Sequence, residues 1–158
     1  MKIDVKIRED LAEEWLPAVY SDRIRTQRTR SINLDIRERE NQAEIQYTLL
    51  GIELKVGKRR FACPDLATAR YLRVFARMGC REFAIPYDIT KISAAADDLE
   101  TSWQRTLLFV EEKTRGKRPK IITDARAKLV KSIRDSLRKI GPGDAMPKFD
   151  RETKQRKV

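Results

Sequence analysis

The chain has 158 residues, of which 41% are hydrophobic and 37% charged, and a formal net charge of +11. That length and apolar content suffice for one self-supporting core, which excludes disorder throughout and any need for a disulfide or metal staple. No apolar run approaches the ~18 residues that cross a bilayer, the N-terminus lacks a targeting pattern, and histidine is absent. The expectation is a soluble cytoplasmic protein with no cofactor and no imidazole chemistry.

Residues 2–7 (KIDVKI) alternate, with Ile3, Val5 and Ile7 on one side, and read as a strand. Asp10 then caps a short helix carrying Leu11, Trp15 and Leu16, which Pro17 kinks or ends. Arg23, Arg25, Arg28 and Arg30 follow in a polar connection. Ile32, Leu34 and Ile36 alternate with polar neighbours as a second strand, and residues 37–42 form a polar turn. Ile45, Tyr47 and Leu49 mark a third strand. At Leu50-Gly51 the apolar positions switch from odd to even numbers, the mark of a bulge or a tight reversal.

Gly57-Lys58 fits a two-residue hairpin loop that pairs Lys55 with Arg60, Leu54 with Phe61 and Ile52 with Cys63. Asp65 caps a helix over residues 66–78, and Gly79 supplies its left-handed end. Ala67, Tyr71, Val74, Phe75 and Met78 share the apolar face of that helix; Arg70, Arg73 and Arg77 line the other. Cys63 and Cys80 flank it, ~20 Å apart and beyond the ~7 Å reach of a disulfide. They read as small buried hydrophobes.

Residues 81–87 form a strand with Phe83 and Ile85 inside and Pro86 at an edge or end. Asp88 or Thr90 starts the longest helix, to Lys113, with a core seam of Ile92, Ala96, Leu99, Trp103, Leu107 and Val110. A basic linker, residues 114–120, leads to a last helix capped by Thr123 and ending at Ile140. Its apolar face holds Leu129, Val130, Ile133, Leu137 and Ile140. Residues 141–158 read as a flexible basic tail. Strands come early and helices late, so the class is α+β: a mostly antiparallel sheet of about five strands covered by three main helices, in one domain over residues 1–140.

The charge is divided unevenly. Residues 1–112 contain nineteen basic and nineteen acidic side chains, whereas residues 113–158 contain sixteen basic and five acidic ones. A neutral body with a basic C-terminal region points to a polyanionic partner, since clustered Lys and Arg release counterions from phosphates. The candidate nucleic-acid contacts are Lys117, Arg118, Lys120, Lys128, Lys131, Arg134, Arg138 and Lys139. The helical stripe Arg70, Arg73, Arg77 and the hairpin residues Lys58, Arg59, Arg60 add to them. After Lys113 the only aromatic is Phe149, so there is no stacking platform for unpaired bases. Backbone contacts to duplex DNA or structured RNA therefore fit better than base readout.

The apolar face of the last helix lacks Trp and Phe, which argues against a membrane surface as the anionic partner. Two alternatives stand beside nucleic acid. One is an adaptor subunit that docks an acidic protein through the basic region. The other is a metal-dependent nuclease. Glu53-x-Lys55 and Pro64-Asp65 are the two halves of a nuclease signature in reversed order, with Asp35, Glu44, Glu13 or Glu14 as further carboxylates. A helix cap accounts for Asp65 more simply, and the preferred reading is non-enzymatic: an accessory or regulatory protein.

Overall fold

The computed structural model describes residues 3–143. The chain opens with helix α1 (Ile3–Leu11), and the strand expected over residues 2–7 is not there. The alternation is real in sequence, but Ile3, Ile7 and Leu11 recur at spacing four. Ile7 and Leu11 are buried while Val5 is exposed. Period four, carried past residue 7, outweighs a period-two match over only six residues.

Asp10 lies inside α1, not at a cap, and its carboxylate takes Lys113 at 2.8 Å. After a single 3₁₀ turn, helix α2 (Leu16–Val19) begins, with Pro17 in its first turn. Proline thus starts a helix here, where its missing N–H costs nothing, and does not end one. A π-helical turn, Tyr20–Ile24, absorbs part of the expected polar connection, closed by Arg25 N–H donating to Tyr20 O at 2.9 Å.

Strand β1 (Thr29–Asn33) is shifted toward the N-terminus and shares only Ile32 and Asn33 with the expected second strand; Leu34 and Ile36 are buried from the loop that follows. Strands β2 (Ala43–Thr48), β3 (Gly51–Val56) and β4 (Arg59–Cys63) form an antiparallel meander. The parity switch at Leu50-Gly51 is a tight reversal, and Leu49 lies on its exposed tip. The second hairpin has the register read from sequence: Lys55 opposite Arg60, Leu54 opposite Phe61, Ile52 opposite Cys63. Gly57, at φ +60°, supplies the left-handed backbone of its loop.

Helix α3 (Leu66–Met78) is capped by Asp65, which accepts from Thr68 N–H at 2.7 Å. It ends in a Schellman turn: Gly79 is left-handed (φ +79°), and Cys80 N–H reaches Phe75 O. Strand β5 (Glu82–Pro86) pairs with β1, so the five strands make two separate antiparallel sheets where one was expected. Asp88 caps a 3₁₀ turn that leads into α4 (Ile92–Lys113). Helix α5 (Pro119–Ile140) begins four residues before Thr123, because Pro119 suits the first helical position; Thr123 only donates its hydroxyl back to Pro119 O.

Helix α3 is the centre of the core. The three-stranded sheet covers one side of it and α4 the other, and the Phe75 ring stacks on Phe83 of β5 at 4.0 Å. Helix α5 closes the core against α1, α2 and β5 through Leu129, Val130, Ile133 and Leu137, all buried. Each is worth about 1.5–3 kcal/mol of burial. The basic helix is therefore part of the folded body and not an appendage to it. The Tyr20 hydroxyl ties its end down by donating to Gly141 O. Residues 141–143, read as the start of the tail, are held in this way; the rest of the expected tail lies outside the described residues. No helix among the described residues is long and apolar enough to cross a membrane.

Candidate nucleic-acid interface

The basic residues singled out in the sequence fall into three settings. Those of α3 are covered. Arg70 donates to Glu100 and Asp97 of α4, and Arg73 donates to Glu100 at 3.0 Å. The side chains of Arg70 and Arg73 are only 23% and 26% exposed. The hydrogen bonds to Glu100 and Asp97 push the Arg70 guanidinium further up. Arg77 donates to Ala43 O at 3.2 Å, and burial pulls its guanidinium down. The stripe expected as a second basic face is thus covered: Arg70 and Arg73 form an ion-pair seam with α4, and Arg77 is bonded to β2.

The α5 residues are exposed by contrast. Lys120, Lys131 and Arg138 lie in one row, three and two turns apart, along the solvent side of a helix segment ~27 Å long. Lys131 and Arg138 are 69% and 62% exposed; both reach Asp135 across the helix surface, at 3.2 and 3.4 Å. Lys128 is on the same side, and Lys117 and Arg118 precede the first turn, all exposed. Lys139 turns toward a separate groove lined by Trp15 and Ser21. Arg134 has a structural job, donating to Met78 O at 2.8 Å, where it completes the C-terminus of α3.

The third setting was not visible in the sequence. An open groove of about 820 Å³ runs between the loop at residues 35–41 and the tip of the β3–β4 hairpin. Lys58 and Arg59 line one side; Arg37, Arg39 and Arg81 line the rest. A second hollow of about 370 Å³ shares Glu38 and Arg81 with it and continues to Arg134 and Arg138. The hairpin tip and the end of α5, some eighty residues apart in sequence, thus border one basic surface. Strand alternation sends Arg60 to the opposite face of the sheet, where it stands 3.7 Å from Glu53.

The loop that carries Arg37 and Arg39 is fixed from below. The Asn41 side-chain amide donates to Arg37 O, Arg39 O and Ala76 O, and Asn41 N–H donates to Arg77 O. The chain passes so close to the end of α3 that a Cβ on Gly79 would stand 2.3 Å from Arg39 O. Arg126 adds a fork of bonds to Glu40 at 2.8–3.0 Å. Sequence reading missed Arg37, Arg39 and Arg81 because they sit singly among acidic neighbours. The one available signal was the alternating Arg37-Glu38-Arg39-Glu40 run.

The lining of the groove includes no aromatic side chain, so it can hold phosphate but not stack a base. On the outer sheet face, Glu53 and Lys55 do lie side by side with Arg60 as their register requires. Asp65 is committed to the α3 cap. Among the described residues no three His, Cys, Asp or Glu side chains converge as metal ligands. Compared with known proteins, the chain matches no family, no curated protein and no solved structure at significance.

Proposed function

We propose that this protein binds nucleic acid through the phosphate backbone, as a cytoplasmic, non-enzymatic accessory or regulatory factor. Its contact surface is the solvent row of α5 together with the groove at the β3–β4 hairpin. One observation carries the reading: Lys120, Lys128, Lys131 and Arg138 of α5 stay exposed, as do Lys58, Arg59 and Arg81 of the groove that Arg138 borders, while Arg70 and Arg73 of α3 are covered by the carboxylates of α4. Lys117, Arg118 and Lys120 extend this surface to the far end of α5. Residues 144–158 contain five basic and three acidic side chains, a net charge of +2.

Fluorescence anisotropy with short DNA duplexes, RNA duplexes and single strands tests the reading. Duplex affinity is expected to fall by about 10³ or more between about 50 and 200 mM salt, as for six or more phosphate contacts. Single strands are expected to bind less tightly. No binding, or binding indifferent to salt, overturns it and favours an acidic protein as the partner.

A further inference from the structure

The groove carries its own anions. Asp35 Oδ2 accepts from Arg59 at 2.6 Å, and its Oδ1 stands 4.0 Å from Arg81. Glu38 accepts from Arg138 at 3.0 Å. These side chains border the two adjoining hollows, so every carboxylate lining them is already engaged with an arginine, save Glu82, which accepts from Asn33 at 3.1 Å. The pairs are wet: Arg59 and Asp35 are 60% and 67% exposed, Arg138 and Glu38 62% and 50%. Ion pairs this exposed contribute little to folding and open readily. A backbone phosphate offers a guanidinium the same two-oxygen geometry and the same single negative charge as a carboxylate.

We propose that Asp35 and Glu38 are stand-ins for phosphate. In the unbound protein they hold Arg59, Arg81 and Arg138 in place, and a nucleic-acid strand binds by taking those guanidinium groups over. This rests on the reading of the groove as a phosphate site and specifies how that site is regulated. The exchange needs only side-chain movement, since Asn41 and Gly79 fix the loop backbone against α3. It has two effects. The arginines are pre-ordered, which lowers the entropic cost of contact. A single weak anion cannot displace both carboxylates, whereas a polyanion, presenting several phosphates at once, can.

The experiment is duplex binding by the full chain carrying Asp35→Asn and Glu38→Gln, singly and together. Each freed arginine set is expected to tighten binding roughly threefold, and both together roughly tenfold. Glu13→Gln with Glu111→Gln, the same change in net charge on exposed residues elsewhere, is expected to shift affinity less than about twofold. In an Arg59→Ala, Arg81→Ala background the gain from Asp35→Asn is expected to vanish, because it acts through those two side chains. A gain that survives there, a gain matched by the remote pair, or no gain at all overturns the exchange. If Lys58→Glu weakens wild-type binding while Asp35→Asn leaves it unchanged, only the exchange falls and the groove stands. If the wild type binds no duplex, both fall.

Discussion

Helices α3 and α5 carry the same basic spacing: Arg70, Arg73, Arg77 on one and Lys131, Arg134, Arg138 on the other. Both are amphipathic, and both bury an apolar face in one core. Their charged faces have different fates because of what packs beside them. Helix α4 presents Asp97 and Glu100 directly to α3, so Arg70 and Arg73 hold the two helices together. No helix crosses the outer side of α5 among the described residues, and the carboxylates that reach it, Asp135 and Glu38, are themselves exposed. A row of arginines is a binding face only when the fold leaves it without a neighbouring acidic helix.

The difference predicts a double dissociation between stability and affinity. The largest effect is expected from Lys120→Glu, Lys131→Glu and Arg138→Glu together. Duplex affinity should fall at least about a hundredfold, and the salt slope should shrink by roughly 0.9 for each phosphate that is no longer neutralised. The melting temperature should move only a few degrees, since all three side chains are solvent-exposed. Equal losses of stability and affinity would erase the distinction between the helices.

Gly79→Ala attacks the joint between the two regions. At φ +79° the backbone disfavours any side chain, and the new Cβ would meet the Arg39 backbone at 2.3 Å. A cost of about 2–3 kcal/mol is expected in urea unfolding. Weaker duplex binding should accompany it, because Arg37 and Arg39 ride on the displaced loop. Unchanged stability would mean that loop and helix do not meet this closely.

Glu100→Gln tests the other side of the comparison. It removes the charge that anchors Arg70 and Arg73, for an expected loss of about 1.5 kcal/mol in stability. Affinity for duplex should stay within about twofold. A several-fold rise would show that α3 is a latent binding face, held shut by α4.

The contrast between the helices also marks what the sequence could disclose. The β3–β4 register, the Asp65 cap and the Gly79 terminus were legible because each is decided within a few residues. So were the apolar faces of α3, α4 and α5, each repeated over several turns. The first helix misleads because six residues satisfy a strand period before the helical one becomes visible. The division into two sheets depends on β1 pairing with β5 across some fifty residues, and no local pattern encodes that. For the same reason Arg70 looks as free as Lys131 in the sequence: nothing near it announces Glu100. The groove joins residues near 37, 58, 81 and 138, so only the folded chain assembles it.

Cys80 lies where the two helices meet, one residue past Gly79 and beside Arg134, Leu137 and Arg138. Burial pushes its thiol up to about 12, although the Arg134 and Arg138 charges pull the other way. The unfolded thiol ionises near 9, so the unfolded chain loses this proton at lower pH than the native one. Stability from this group is therefore complete below about pH 9 and is lost as pH rises toward the folded value. Tyr20, raised to about 12, and Tyr71, raised well above its ordinary value by burial, act in the same direction from about pH 10. From pH 9 to 10 the thiols therefore lead, with Tyr20 and Tyr71 each adding only about 0.3 kcal/mol. Over that interval Cys80 alone is expected to cost the wild type about 1 kcal/mol in urea unfolding. Cys80→Ala should flatten that slope, leaving a smaller residue from Cys63, whose thiol burial also raises. If the slope does not change, the thiol is open to solvent and α5 does not seat over the end of α3. The contrast between a covered helix and an exposed one would then lose its structural basis.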